Sequence, residues 1–351
     1  MSVVNTPQDP TMGLSSNDPV AVTSASTRVG FRTSAGTSLI GSLEGFANSA
    51  RAQALRRRVR LVFTSPPFPL NRKKQYGNRL GEDFVEWFSS LAPTLADLLT
   101  RDGSLVIEMG NAWEPGEPVM STTPLRALLA FAESGHLHLC QQFVAYNPAR
   151  LPSPVQWVNI DRVRVKDAFT HIWWLARSPH PFANNREVLV PYSAAMASLL
   201  KNGTYNAGRR PSGHAIGAIS FAHDNGGAIP SNVLAVPNTS AKEKYLTYCH
   251  DRSLPLHPAR MHPDIPRFFI RLLTKPGDIV LDPFAGSNIT GAVSEELGRR
   301  WVAVEPRYEY VLGSRGRFQR SIAAPILRKY ERDHEAAQQR QRKLRRSRGE
   351  V

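Results

Sequence analysis

The chain has 351 residues, with 44 Lys and Arg against 29 Asp and Glu, a formal charge of +15. That length can bury a full core and hold one large domain with an insertion or two compact domains, and that charge favours a polyanionic partner, nucleic acid foremost. Two cysteines, Cys140 and Cys249, with no paired spacing and no neighbouring histidine pattern, exclude a disulfide framework and a zinc set, and no stretch is long and apolar enough to span a membrane.

Residues 1–36 are rich in Ser, Thr, Asn and Pro and lack the basic start and apolar stretch of a signal peptide. They are expected to form a disordered polar leader on a cytoplasmic protein. Leu39, Leu43 and Phe46 fall at helical spacing and predict a helix running into Arg56, Arg57 and Arg58. Val59 to Phe63 reads as a buried strand that delivers Thr64 to a turn, where Pro66 and Pro67 stop the ladder. Phe84, Trp87, Phe88, Leu91, Leu95 and Leu98 predict an amphipathic helix, kinked or segmented at Pro93 and ended by Asp102-Gly103. Leu105 to Ile107 is the next expected strand. A helix over Pro124 to Glu133 closed by Gly135, a strand from Leu137 to Ala145 and another over Phe169 to Leu175 follow. The Trp173-Trp174 pair is read as core on that last strand.

Over residues 178–253 the periodicity fades into Gly, Asn, Pro, Ser and His, as in Arg209-Arg210-Pro211-Ser212-Gly213-His214 and Asp224-Asn225-Gly226-Gly227. So long an irregular insertion in a compact domain is expected to serve recognition. Regular structure resumes with a helix over Ile265 to Leu273, a strand at Ile279 to Leu281, a helix from Ile289 to Leu297 and a strand at Trp301 to Val304. Strands alternating with helices imply a largely parallel α/β sheet covered on both faces. The basic run beyond residue 326 reads as a solvated helix or a nonspecific DNA clamp.

Two turns carry the chemistry. Asp282-Pro283-Phe284-Ala285-Gly286-Ser287-Asn288 follows a strand and opens a helix, so backbone N–H groups face a ligand that Gly286 lets approach closely. Glu305, at the end of the next strand, suits the hydroxyls of a ribose. Asp282 would repel a pyrophosphate but can meet a cationic amino-acid head group, which points to S-adenosylmethionine rather than a dinucleotide. Gly286 is the one glycine of the turn itself, where a dehydrogenase would show a fuller fingerprint. The second turn is Thr64-Ser65-Pro66-Pro67-Phe68. The Ser65 hydroxyl and Pro66 carbonyl can accept from the N–H bonds of an aromatic amine and localise its lone pair, while the prolines stiffen the corner and Phe68 offers a face to an extruded base. No metal and no covalent intermediate are required.

These motifs resemble those of the β class of site-specific DNA amino-methyltransferases of bacterial restriction–modification systems. In that class a Ser-Pro-Pro-Phe/Tyr turn precedes the recognition region and an Asp-Pro-Phe-x-Gly-Ser turn follows it. The resemblance, over roughly residues 37–325, implies a circularly arranged, Rossmann-like S-adenosylmethionine-dependent methyltransferase fold. Its parts would be a catalytic half at 37–177, a target-recognition insertion at 178–253, a cofactor half at 254–325 and a basic tail at 326–351. It implies that Ser65, Pro66, Pro67 and Phe68 handle the flipped base. His257, Pro258, Asp282, Pro283, Phe284, Gly286, Ser287, Asn288, Thr290 and Glu305 would surround the cofactor, although Asn288 stands where a second glycine is common.

Ser at 65 and Phe at 68, where adenine-modifying members usually carry Asp and Tyr, imply cytosine N4 as the target. Adenine N6 methylation and a noncatalytic DNA-binding protein on the same fold are the alternatives. Arg72, Lys73 and Lys74 are candidates for phosphate contacts, and Arg209, Arg210, Ser212, His214, Asp224 and Asn225 for base reading. For His214 a plain loop histidine is the competing assignment. The stretches from Arg209 to Ile219 and Asp224 to Pro230 are similar to those of members that read the palindrome CAGCTG. The implied partners are double-stranded DNA and a cognate restriction endonuclease, and the implied state is a monomer.

Overall fold

The computed structural model describes residues 27–68, 80–203, 208–209, 211–213, 215–216, 223–237, 243–318, 321–322 and 324–347. The strands in chain order are β1 (Arg28–Arg32), β2 (Gly36–Ile40), β3 (Val59–Thr64), β4 (Leu99–Gly110), β5 (His138–Tyr146), β6 (Phe169–Ala176), β7 (Gly208–Arg209), β8 (Ala215–Ile216), β9 (Val233–Ala235), β10 (Ile279–Asp282) and β11 (Arg300–Glu305). The helices are α1 (Leu43–Ala47), α2 (Ala50–Leu55), α3 (Gly81–Leu98), α4 (Thr123–Ser134), α5 (Ala194–Asn202), α6 (Lys244–Asp251), α7 (Asp264–Leu273), α8 (Ile289–Glu296), α9 (Tyr308–Ser314) and α10 (Ala324–Ser347).

Among the described residues one sheet runs β1-β2-β11-β10-β3-β4-β6-β5-β9, and β7 pairs with β8 apart from it. Its middle, from β2 to β4, is parallel, while β6 is antiparallel to both its neighbours. Alternate residues of each central strand enter opposite cores, as a sheet buried on both faces requires. Val62, Leu105, Ile107 and Leu281 join α3 and α4 on one side. Leu61, Phe63, Val106 and Val280 join α7 and α8 on the other. Phe88 of α3 stacks on Phe131 of α4 with ring centroids 4.6 Å apart. Each ring is almost completely buried, a gain of about 2–3 kcal/mol apiece.

The connections diverge at the centre. From β10 the chain passes through α8 to β11 on one side, and from the adjacent β3 it passes through α3 to β4 on the other. The crevice beyond the C-terminal ends of β3 and β10 is therefore a topological switch point, where open α/β sheets bind ligands.

Several expectations are corrected. Pairing begins at Arg28, inside the stretch expected to be a polar leader, and Phe31 of β1 is fully buried. Leu39 lies in a strand rather than a helix, because its apolar spacing to Leu43 spans the turn where Ser42 caps α1 by accepting from Gly45 N. The helix expected there is two short helices, with Ser49 capping the second. Pro93 stays inside a single helix, on its exposed side. Asp102-Gly103 does not end that helix. It bulges inside β4, whose pairing with β3 jumps from Val59↔Leu99 to Leu61↔Ser104. Trp173 is core, but Trp174 is half-buried on the other face and donates to Ser104 Oγ at 2.9 Å. The insertion is not wholly irregular: it holds α5 and α6, and it lends β9 to the sheet edge beside β5. No helix among the described residues is long and apolar enough to cross a membrane.

Candidate active site

A cavity of about 500 Å³ opens at the switch point. Ser65, Pro66, Pro67 and Phe68 line it from the end of β3, and the turn from Asp282 to Ser287, with Thr290, lines it from the end of β10. The corner is well anchored. Thr64, buried at the end of β3, donates from Oγ1 to Asp282 Oδ1 at 2.9 Å. The Phe68 ring lies against Gly110, where an added Cβ would come within 2.8 Å of it. Glycine at the end of β4 is thus what lets this ring form a wall of the cavity.

Asp282 is almost completely buried and fully engaged: Thr290 Oγ1 donates to its Oδ2 at 2.6 Å and Phe284 N to its Oδ1 at 3.1 Å. Burial pushes its pKa up to about 6, against the downward pull of those bonds. Glu305, equally buried at the end of β11, accepts from Gly286 N at 3.0 Å and Arg307 N at 2.9 Å. Burial pushes it to about 7. Two carboxylates with raised proton affinity in one cavity suit a ligand bearing positive charge and hydroxyl donors.

The glycine turn is tight. Gly286 has φ +50°, and a Cβ there would sit 2.9 Å from His257 Nε2. The His257 ring packs edge-on to Tyr310 at 4.7 Å, and burial lowers its pKa, so it is neutral at physiological pH. Ser287 is held from behind by Arg317, whose Nε donates to its carbonyl at 2.7 Å and whose Nη2 donates to its Oγ at 3.1 Å. Arg317 also pairs with Glu243, which pairs in turn with Arg260 on the cavity wall at 2.9 Å.

Of the other expected cofactor residues, Pro283 and Phe284 line the cavity, whereas Pro258 and Asn288 do not. Asn288, at φ +54°, is the N-cap of α8, and its Oδ1 accepts from Gly291 N at 3.1 Å. Among the expected DNA residues, Arg209 lies on β7, and Ser212 is exposed in the turn before β8. Asp224 and Asn225 form an exposed turn. The Asp224 carboxylate accepts from Tyr192 Oη at 3.0 Å and Gly226 N at 2.8 Å, so it organises that turn. None of these four lines the cavity. Arg72, Lys73, Lys74, Arg210 and His214 lie outside the described residues.

The sequence reading missed several lining residues, Glu108, Arg150, Trp87 and Glu44 among them. Glu108 lies near the end of β4, buried, hydrogen-bonded to Ser65 and accepting from Thr170 Oγ1 at 2.9 Å. Burial raises its pKa, opposed by Thr170, Ser65 and the charge of Arg150. A lone carboxylate inside the apolar run Leu105-Val106-Ile107-Glu108-Met109 was the available signal. Arg150 lines the cavity from the β5–β6 connection. Trp87 meets Phe284 edge-on at 5.9 Å and donates from Nε1 to Glu44 Oε1 at 3.2 Å. Trp87 falls in the apolar spacing of α3, which points to core rather than to a site, and Glu44 carries no local motif.

The chain is similar to known DNA methyltransferases. A family model described as DNA methylase matches residues 59–314. The type II methyltransferase M.PvuII of Proteus hauseri is 40% identical over 294 residues, covering 82% of this chain and 85% of its own. The solved PvuII DNA methyltransferase, cytosine-N4-specific, superimposes with a TM-score of 0.66 at 32% identity, covering 87% of this chain and 94% of its own. The DNA adenine methyltransferase YhdJ of Escherichia coli strain K12 is 36% identical over 83 residues, 24% of this chain and 26% of its own.

Proposed function

This chain belongs to the DNA methylase family, and on that premise we propose that it methylates the exocyclic N4 of a cytosine extruded from duplex DNA, with S-adenosylmethionine as donor. The observation that carries the reading is the joining of the serine–proline corner to the acidic turn by the Thr64–Asp282 hydrogen bond, inside one cavity.

The residues present fit the donor. Asp282 and Glu305, with Glu44 beside them, give the cavity the acidity that a sulfonium and an ammonium require, and Glu305 can take ribose hydroxyls. Phe284 and Ile289 supply apolar surface for an adenine. Bound there, S-adenosylmethionine supplies an activated methyl group on a positively charged sulfur.

The protein's own part is to prepare the amine. Its lone pair is delocalised into the ring and must be localised before it can attack. Ser65 Oγ and the Pro66 carbonyl accept the two amine N–H bonds and draw the nitrogen toward tetrahedral geometry. Phe68 stacks on the base. The Ser65 hydroxyl bonds Glu108, whose buried carboxylate has a raised affinity for the proton that the amine must lose. Proton release thus runs from the amine to Ser65 and on to Glu108, leaving the methylated amine and Glu108 both neutral.

Ser65 and Phe68 favour cytosine over adenine. So does the extent of likeness, which spans most of the chain for M.PvuII and a quarter of it for YhdJ. The insertion at 178–253 would read the site, for which CAGCTG is the proposed sequence, and the +15 charge would hold the duplex. The enzyme would work as a monomer in the cytoplasm, where the DNA is, protecting it from a cognate endonuclease. Incubation with labelled S-adenosylmethionine and unmethylated duplex, followed by nucleoside digestion, tests the reaction. N4-methylcytosine is expected, and N6-methyladenine alone would overturn the reading.

A further inference from the structure

The cavity holds a cation with no part in the chemistry above. Arg150 lines it together with Ser65 and Glu108. Its Nη1 donates to the carbonyl oxygen of Phe169 at 3.2 Å, one residue before Thr170, whose hydroxyl holds Glu108. Its charge reaches Glu108 and opposes the effect of burial there.

The backbone under this side chain is pinned. Arg150 N donates to Asn147 O at 3.2 Å, Ala149 N to Asn147 Oδ1 at 3.0 Å, and Lys166 Nζ to the Pro148 and Arg150 carbonyls at 2.7 and 3.4 Å. Below it, Asn111 Nδ2 donates to Asp167 Oδ1 at 2.8 Å and ties the same connection to the end of β4. A guanidinium carries five N–H donors in a rigid fork and is charged at every working pH. One bond to Phe169 fixes the fork and leaves donors for a ligand in the cavity.

Cytosine and adenine both present an amine beside a ring nitrogen. They differ two positions along the same edge, where cytosine has the O2 acceptor and adenine a C–H. Acceptors for the amine and a fixed cationic donor in the same cavity match cytosine and leave the donor unpaired against adenine. We infer that Arg150 is a specificity residue, donating to O2 of the extruded cytosine and excluding adenine from the site. The inference rests on the cytosine-N4 reading above.

A target lacking only O2 tests it. Duplexes carrying either cytosine or a 2-aminopyridine C-nucleoside at the target, the latter keeping the amine and ring nitrogen, are compared in single turnovers at about pH 8.5, where the aminopyridine is neutral. The wild-type enzyme should lose roughly 10- to 100-fold on removal of O2, the scale of one charge-assisted hydrogen bond. Arg150→Met should lose a similar factor on cytosine and treat the two bases alike. Equal wild-type rates on both bases would overturn the inference, as would an Arg150→Met variant that slows both by the same factor, the signature of a phosphate contact or a loop-packing role. The wild-type comparison stands even if the variant does not fold. If the wild-type product were N6-methyladenine, the cytosine reading would fall, and this inference with it.

Discussion

Thr64 and Asp282, 218 residues apart in the chain, share a buried hydrogen bond of 2.9 Å. It joins the last residue of β3 to the last residue of β10, two adjacent parallel strands. Ser65, which follows Thr64, and the glycine turn that follows Asp282 are therefore held at one rim by the sheet itself. A methyl donor in the acidic turn and an amine at the serine corner would meet across this contact.

Ser65→Ala removes an acceptor for the amine and the path to Glu108, while Thr64, Phe68 and the acidic turn stay in place. Turnover should fall about 10²- to 10³-fold, with affinity for DNA and cofactor nearly unchanged. Single-turnover rates set beside calorimetric affinities check this, and a parallel loss of binding would contradict the role.

Glu108→Gln keeps the shape of Glu108 and an oxygen to accept from Thr170, without its basicity. Burial raises its pKa above the ordinary carboxylate range, and a proton acceptor must be ionised to work, so the wild-type rate should climb with pH through that raised value. In Glu108→Gln the rate should fall about 10²-fold and this limb of the profile should flatten. An unchanged profile in the variant would remove Glu108 from the proton path.

Asp282 and Glu305 titrate near 6 and 7, above their ordinary 3.8 and 4.5. Between the ordinary and raised values the folded chain holds protons that the unfolded chain has released. These two groups therefore make stability fall as pH rises from about 4 to about 7, by on the order of 3 kcal/mol each. A cationic ligand favours the ionised forms, so affinity for S-adenosylmethionine should rise from pH 5.5 to 8, with protons released on binding below pH 7. Thr64→Val removes a bond that lowers the Asp282 pKa and should move the rise to higher pH. Calorimetry in buffers of different ionisation enthalpy reads both effects, and affinity that is flat with pH would exclude these acids from the cation site.

The two turns were legible because each sets rare residues at fixed positions after an apolar strand: Pro66 and Pro67 after Phe63, Asp282 and Gly286 after Leu281. Parallel strands were legible from their unbroken apolar runs. Glu108 was hidden by the same feature, since a carboxylate inside such a run shows its partners only once β6 brings Thr170 alongside. Leu39 misled because its spacing to Leu43 and Phe46 fits a helix, whereas pairing with β1 and β11 makes it a strand residue. β9 has three residues, too few for periodicity, and depends on β5, which lies far away in sequence.

On the proposed function the serine corner and the acidic turn act as one site on cytosine. Mapping modified bases across the DNA of a host that lacks other methyltransferases, with and without this protein, tests it most directly. N4-methylcytosine in a single short duplex motif, CAGCTG being the sequence expected, and lost with Ser65→Ala, is the predicted result. Methylated adenine, or no new modification from folded protein that binds S-adenosylmethionine, would contradict it.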